Sequence, residues 1–104
     1  MKTEKNLMIQ EKTTSIKNHQ WRHAKHVAWR KVEDEAVILD MDTAVYYSLQ
    51  ETGARIWELI GQGKSVQEII QIIVEEYDAA EQEVRKDVDE IILKLKKEKI
   101  IEPA

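Results

Sequence analysis

Residues 36–49 read Ala36-Val37-Ile38-Leu39-Asp40-Met41-Asp42-Thr43-Ala44-Val45-Tyr46-Tyr47-Ser48-Leu49, and the fold class turns on how this stretch is understood. Its first part, Ala36 to Met41, is rich in β-branched residues, the composition of a strand in the middle of a sheet. Asp42-Thr43 supplies turn chemistry, because short polar side chains bond their own nearby backbone. Ala44 to Leu49 favours strand again, and its alternation places Val45, Tyr47 and Leu49 on one face. Adjacent strand residues point to opposite faces, so Tyr47 is expected inside and Tyr46 outside. Upstream, Val27 and Trp29 alternate with Ala28 and Arg30 as a short half-buried strand, and Glu33-Asp34-Glu35 interrupts it. A three-stranded antiparallel meander is expected.

Downstream the period changes from two to 3.6. Ile56, Trp57 and Ile60 form one apolar stripe that ends at Gly61 and Gly63, natural helix stops. Ser65 followed by Glu68 is a capping box, so a second helix is expected to start at Val66. Val66, Ile69, Ile70, Ile73 and Tyr77 share its inner face. A third helix is expected from about Glu81 to Lys97, with Val84, Val88, Ile91, Ile92 and Leu95 inward and Leu93 outward. Ile100 and Ile101 should tuck under the core before Pro103. The predicted class is α+β, winged-helix-like, in the order βββααα.

The 104 residues allow one domain, and 42% apolar content suffices for a core. Residues 1–25 carry only isolated apolar side chains (Leu7, Met8, Ile9, Ile16) without period, so they are expected to form a basic, mobile arm ahead of a domain at 26–102. Trp21 and the histidines His19, His23 and His26 give the end of this arm the means to dock. Charge is divided unevenly. Residues 1–31 hold eight Lys/Arg against two acids, a net +6, whereas residues 32–104 hold eight against eighteen, a net −10. The acidic part would repel a phosphate backbone, which counts against nucleic acid as a partner.

The absence of cysteine removes disulfides, thiolate metal sites and cysteine nucleophiles. Apolar runs stop at four residues, as in Ala36-Val37-Ile38-Leu39, so no membrane span is expected, and without a secretory signal pattern the expected location is cytoplasmic. His19, His23 and His26 could at most share one ligand face, but Arg22 and Lys25 would oppose a cation, and no metal is expected. Asp40 and Asp42 are better read as hairpin residues than as acid/base catalysts. No Ser/His/Asp pattern or glycine-rich phosphate loop is present, so no cofactor and no enzyme activity are expected.

Several runs occur together in a specific order: Ala36-Val37-Ile38-Leu39-Asp40, Tyr46-Tyr47-Ser48-Leu49-Gln50-Glu51 and Gly53-Ala54-Arg55-Ile56-Trp57-Glu58-Leu59-Ile60. Ser65-Val66-Gln67-Glu68-Ile69-Ile70, Tyr77-Asp78 and Asp87-Val88 with Ile91-Ile92 and Leu95 follow. In this order residues 27–102, about three quarters of the chain, resemble the family of the pyrroloquinoline quinone synthesis protein D (PqqD-like). The chain departs from that family at Gln50, where Asn is common, which puts the first helix start at Glu51 or Thr52. It departs also at Ala80 and Lys99, where a capping residue and a glycine are usual, leaving the third helix open to fraying.

The resemblance implies a non-catalytic recognition element for ribosomally synthesised, modified peptides. In that family the leader region of the precursor peptide adds as a strand beside the third strand, against the third helix. The implied peptide-binding residues are Ala44, Val45, Tyr46, Tyr47 and Ser48 with Val84, Asp87, Val88, Ile91 and Leu95. Periodicity does not say which flank of the helix lines the groove. A stand-alone chain of this size resembles the separate recognition proteins of lasso-peptide biosynthesis, which implies a leader peptidase or cyclase as partner, with a radical S-adenosylmethionine enzyme as the alternative. The competing class, a winged-helix DNA-binding regulator, is disfavoured by Asp87, Asp89 and Glu90 on the third helix. Leu93 and residues 7–9 are the hints of a third class, an oligomeric scaffold.

Overall fold

The computed structural model describes residues 19–104. The elements are β1 (Trp21–His23), β2 (Val27–Val32), β3 (Glu35–Asp40), β4 (Val45–Gln50), α1 (Glu51–Gly61), α2 (Val66–Tyr77), α3 (Glu81–Lys97) and β5 (Ile101–Pro103). The expected antiparallel meander is present in the order β2-β3-β4, followed by the three expected helices. The central strand β3 buries Ala36, Ile38 and Asp40 and leaves Val37 and Leu39 half-buried, which is the alternation that one covered and one uncovered face imposes. The third strand runs one residue later than expected. Ala44 has φ 62° and belongs to the turn, so the strand begins at Val45.

A second sheet was not foreseen. β1 pairs antiparallel with β5, matching Trp21 to Pro103, Arg22 to Glu102 and His23 to Ile101. Residues 19–25, counted with the arm on sequence grounds, are therefore built into the folded unit. The rest of the expected arm, residues 1–18, lies outside the described residues. His23 is the anchor of the ribbon. Its ring stacks on Trp57 with centroids 3.7 Å apart and planes 9° apart. Its Nε2–H donates to the Trp57 carbonyl at 2.9 Å. Burial pushes the His23 pKa below the ordinary value, and the bond to Trp57 offsets this only in part. Trp29 closes the cluster edge-on to Trp57 at 6.2 Å.

The helices fold for local reasons. In α2 the capping box forms: Ser65 Oγ accepts from the Glu68 amide at 3.2 Å, and Glu68 Oε1 accepts from the Ser65 amide at 2.8 Å. Gln50 makes no side-chain cap for α1, and Glu51 has φ 50°, so right-handed helical backbone begins at Thr52. The open end expected at Lys99 is instead closed. Lys99 takes φ 63°, its amide bonds the Lys96 carbonyl at 3.0 Å, and the Ile100 amide bonds the Leu95 carbonyl at 3.2 Å. This is a Schellman arrangement made without glycine, and it drives Ile100 into the core fully buried beside Leu95. Val84, Val88, Ile92 and Leu95 pack with Ile56, Trp57 and Ile70 as one cluster.

Candidate functional site

The candidate site is the outer edge of β4, and its position is set by the turn before it. Asp40 is buried, 4% exposed, at the end of β3. Its Oδ1 accepts from the amides of Asp42 at 2.9 Å and Thr43 at 3.2 Å, and its carbonyl accepts from the Ala44 amide at 2.7 Å. Burial alone would raise the Asp40 pKa, but these amides and His26, whose Nε2 lies 3.6 Å from Oδ2, outweigh it and hold the carboxyl below its ordinary value. A charged clamp thus fixes where β4 starts.

Register then decides which backbone groups of β4 are free. The Glu51 amide bonds the Asp34 carbonyl, which makes 34 and 51 a hydrogen-bonded pair just beyond the β3–β4 ladder. Hydrogen-bonded pairs alternate along an antiparallel ladder, so Ala36–Leu49, Ile38–Tyr47 and Asp40–Val45 are the pairs that bond each other. The β2–β3 ladder gives the same answer independently. There the Met41 amide bonds the His26 carbonyl, which assigns Val37 and Leu39 to β2 and leaves Ala36, Ile38 and Asp40 for β4. Tyr46 and Ser48 therefore aim their N–H and C=O groups outward, and no strand among the described residues takes them up. An unpaired edge of this kind is a template for a further strand.

One flank of α3 borders this edge. A β-carbon on Gly53 would lie 3.6 Å from Ile91 Cδ1 and 3.7 Å from Leu49 Cβ, so α1, α3 and β4 converge there. At the far end, the Tyr47 hydroxyl donates to Glu98 Oε1 at 3.0 Å. Burial and that acceptor push the Tyr47 phenol above its ordinary pKa, which keeps it a donor. Ile91 is half-buried, and Asp87, one turn before it on the same flank, is exposed. Tyr46 stands out from the opposite sheet face, 68% exposed.

The residues singled out from sequence fall into four groups. Val45, Tyr46, Tyr47 and Ser48 lie on the edge strand, and Asp87 and Ile91 lie on the facing flank. Val84, Val88 and Leu95 do not reach that surface. They are 3%, 0% and 2% exposed and pack inward, so they back the groove rather than line it. Ala44 sits in the turn. Gly53 and Glu98 were missed, although Glu98 lies seven residues after Ile91 and so shares its flank. The three histidines do not form a common site: His19 rests on Trp21, His23 on Trp57, and His26 faces Asp40. Among the described residues, His26, Asp40 and Asp42 bring donor atoms within 4.8 Å of one another, and the turn already uses the Asp40 carboxylate. No helix among the described residues is long and apolar enough to cross a membrane.

Comparison with known proteins gives one family and two solved structures. The family described as coenzyme PQQ synthesis protein D (PqqD) matches residues 35–101. The structure titled "TbiB1 in Complex with the TbiA(beta) Leader Peptide" is 30% identical, with a TM-score of 0.75 over 78% of this chain and 94% of that one. "Lasso peptide synthetase B1 complexed with the leader peptide" is 21% identical, with a TM-score of 0.74 over 81% of this chain and 99% of that one, a likeness of fold. No curated protein matches.

Proposed function

The chain belongs to the family of coenzyme PQQ synthesis protein D, and from that premise we propose that it is a recognition protein without catalysis of its own. It binds the leader region of a ribosomally synthesised precursor peptide and presents it to a processing enzyme, as in lasso-peptide pathways. The observation that carries this reading is the β4 edge, with the outward backbone groups of Tyr46 and Ser48 beside the Asp87–Ile91 flank of α3. The similarity to TbiB1, whose structure holds a leader peptide, supports it.

The leader pairs its backbone with Tyr46 and Ser48. Its alternate side chains then enter the groove where Ile91, Leu49 and Tyr47 lie, with Val84, Val88 and Leu95 as buried backing. Backbone pairing supplies affinity without sequence reading, and the groove sorts side chains. Two or three apolar anchors, at about 1.5 to 3 kcal/mol each, must exceed the roughly 2 to 5 kcal/mol needed to order a disordered peptide. Affinity in the micromolar range or somewhat tighter follows. The test is to find a precursor peptide among the genes neighbouring this chain's and to titrate isotope-labelled protein with its synthetic leader. Amide signals of β4 and α3 should move far more than those of α2. Shifts confined to α2, or none at saturation, would overturn the reading.

A further inference from the structure

The sheet has a second face that the leader groove does not use. Its rows follow from the register: Ala28, Leu39 and Tyr46 lie side by side across the three strands, and Arg30, Val37 and Ser48 form the next row. No helix among the described residues covers them. Ala28, Arg30 and Tyr46 are exposed and Val37 and Leu39 half-buried, with Val32, 40% exposed, extending the apolar surface beyond Arg30. Arg30 stands on β2, at the border of this face opposite β4, without an ion-pair partner among the described residues. The acid nearest in register, Glu35, is taken by Ser48 Oγ at 2.9 Å and Gln50 Nε2 at 3.3 Å. An unpaired arginine among apolar and tyrosine side chains is the composition of a protein-binding hot spot.

A strand added at β4 would enlarge this face. Side chains directly opposite across a ladder share a face, so leader residues pairing with Tyr46 and Ser48 stand on the outer side, next to the Ala28–Leu39–Tyr46 row. Alternate leader residues would then be read in the groove, and the others would be offered outward with the sheet. Resting on the function proposed above, we infer that the outer sheet face is the docking surface for the processing enzyme, which meets it with a carboxylate for Arg30 set among apolar residues. The surface is complete only when the leader is bound, so the loaded chain is preferred over the empty one. Continuity of this face with the β4 edge selects this occupant, since an enzyme that acts on the bound leader meets both together.

The test uses the full chain, a fluorescent synthetic leader from the precursor encoded beside it, and the leader peptidase of the same pathway. Leader affinity is read by anisotropy and peptidase capture by surface binding, with and without leader. The unaltered chain should capture the peptidase at least about tenfold more tightly when loaded, a difference of about 1.4 kcal/mol. Arg30→Glu and Ala28→Glu, both at exposed positions, should keep leader affinity within about twofold and weaken capture by about tenfold or more. Capture unchanged in both variants, or equal with and without leader, overturns the docking assignment and leaves leader binding standing. Sedimentation showing a dimer of the unaltered chain that Arg30→Glu dissolves assigns the face to a second copy and overturns it as well. Failure of the unaltered chain to bind leader sinks the underlying function.

Discussion

Two strand edges in this protein are treated in opposite ways. The ribbon of β1 and β5 ties the two ends of the described chain together. The Ala24 amide bonds the Ile100 carbonyl at 3.0 Å, the Ala104 amide bonds the Gln20 carbonyl at 3.0 Å, and Arg22 pairs with Glu102 at 2.8 Å. Beneath it His23 lies flat on Trp57, and a β-carbon on Gly61 would come within 2.6 Å of that histidine. The β4 edge, by contrast, keeps the Tyr46 and Ser48 backbone unpaired among the described residues. On the function proposed above, a protein that ties down the two ends of its folded region and leaves the β4 edge open separates the work of stability from the work of binding.

The hardest blow to that division is a change beneath the ribbon. Ile100 is fully buried where α3 turns into β5, so Ile100→Ala should cost about 2 to 5 kcal/mol. Leader affinity measured well below the lowered melting point should stay within about twofold. A large loss of affinity with little loss of stability would show that the two regions are not separate.

The register gives a finer test within one strand. The Tyr47 amide faces β3 and the Ser48 amide faces out, so proline should act differently at neighbouring positions. Tyr47→Pro removes a ladder bond and strands the Ile38 carbonyl, at about 1 to 3 kcal/mol in stability. Ser48→Pro should cost about 1 kcal/mol or less in stability but weaken the leader by about tenfold, since it removes an outward donor and puts a ring in its place. Calorimetry and anisotropy on the two variants check this. The reverse pattern would mean that the pairing parity is wrong.

Why the sequence revealed one edge and hid the other is a matter of range. The meander and the helices announce themselves in residues a few positions apart, such as the Asp40 to Thr43 turn, the Ser65 and Glu68 cap and the Val84 to Leu95 stripe. β1 is three residues long and meets its partner about eighty positions away, so no local period marks it. His23 read as a possible ligand because its actual partner, Trp57, is 34 residues distant. Within the site, the edge strand was legible because alternation separates Tyr46 from Tyr47. The helix side was legible only as a stripe, because periodicity shows which residues leave solvent and not which neighbour they meet. Val84, Val88 and Leu95 proved to meet the core, whereas Ile91 reaches Gly53 on the side where Leu49 also lies. Lys99 hid a helix stop because its left-handed backbone is rare outside glycine.

Acidity should loosen the sealed region first. The native state holds the His23 pKa below the ordinary 6.5. Between the two values the unfolded chain binds the extra proton, so stability is full above about 6.5 and falls as pH drops through the lowered native value. Urea unfolding followed from about pH 7.5 to about pH 5 should show this decline, and His23→Phe should flatten it. Asp40, Glu68 and Glu76, all held below their ordinary carboxylate values, add a second decline at lower pH as each becomes protonated. A slope unchanged in His23→Phe would place the upper titration elsewhere.

The smallest expected effect is a gain, at the sealed end. Lys99 occupies the left-handed position of the Schellman turn with φ 63°, where a β-carbon crowds the backbone by roughly 1 to 2 kcal/mol and glycine is free of that cost. Glycine also has more unfolded conformations to lose, which returns roughly 0.4 to 1 kcal/mol of the benefit. Lys99→Gly should therefore stabilise by about 0.5 to 1 kcal/mol, a rise in melting temperature of a few degrees for a chain of this size. Lys99 is exposed and takes no part in an ion pair among the described residues, so no contact is lost in exchange. Its neighbour Glu98 accepts from the Tyr47 hydroxyl, but the left-handed turn is kept in the variant, so leader affinity should stay within about twofold. If the variant melts lower, the turn is held by the Ile100 plug against Leu95 strongly enough that the backbone preference of residue 99 no longer counts, and the unfolded-state entropy of glycine decides the sign.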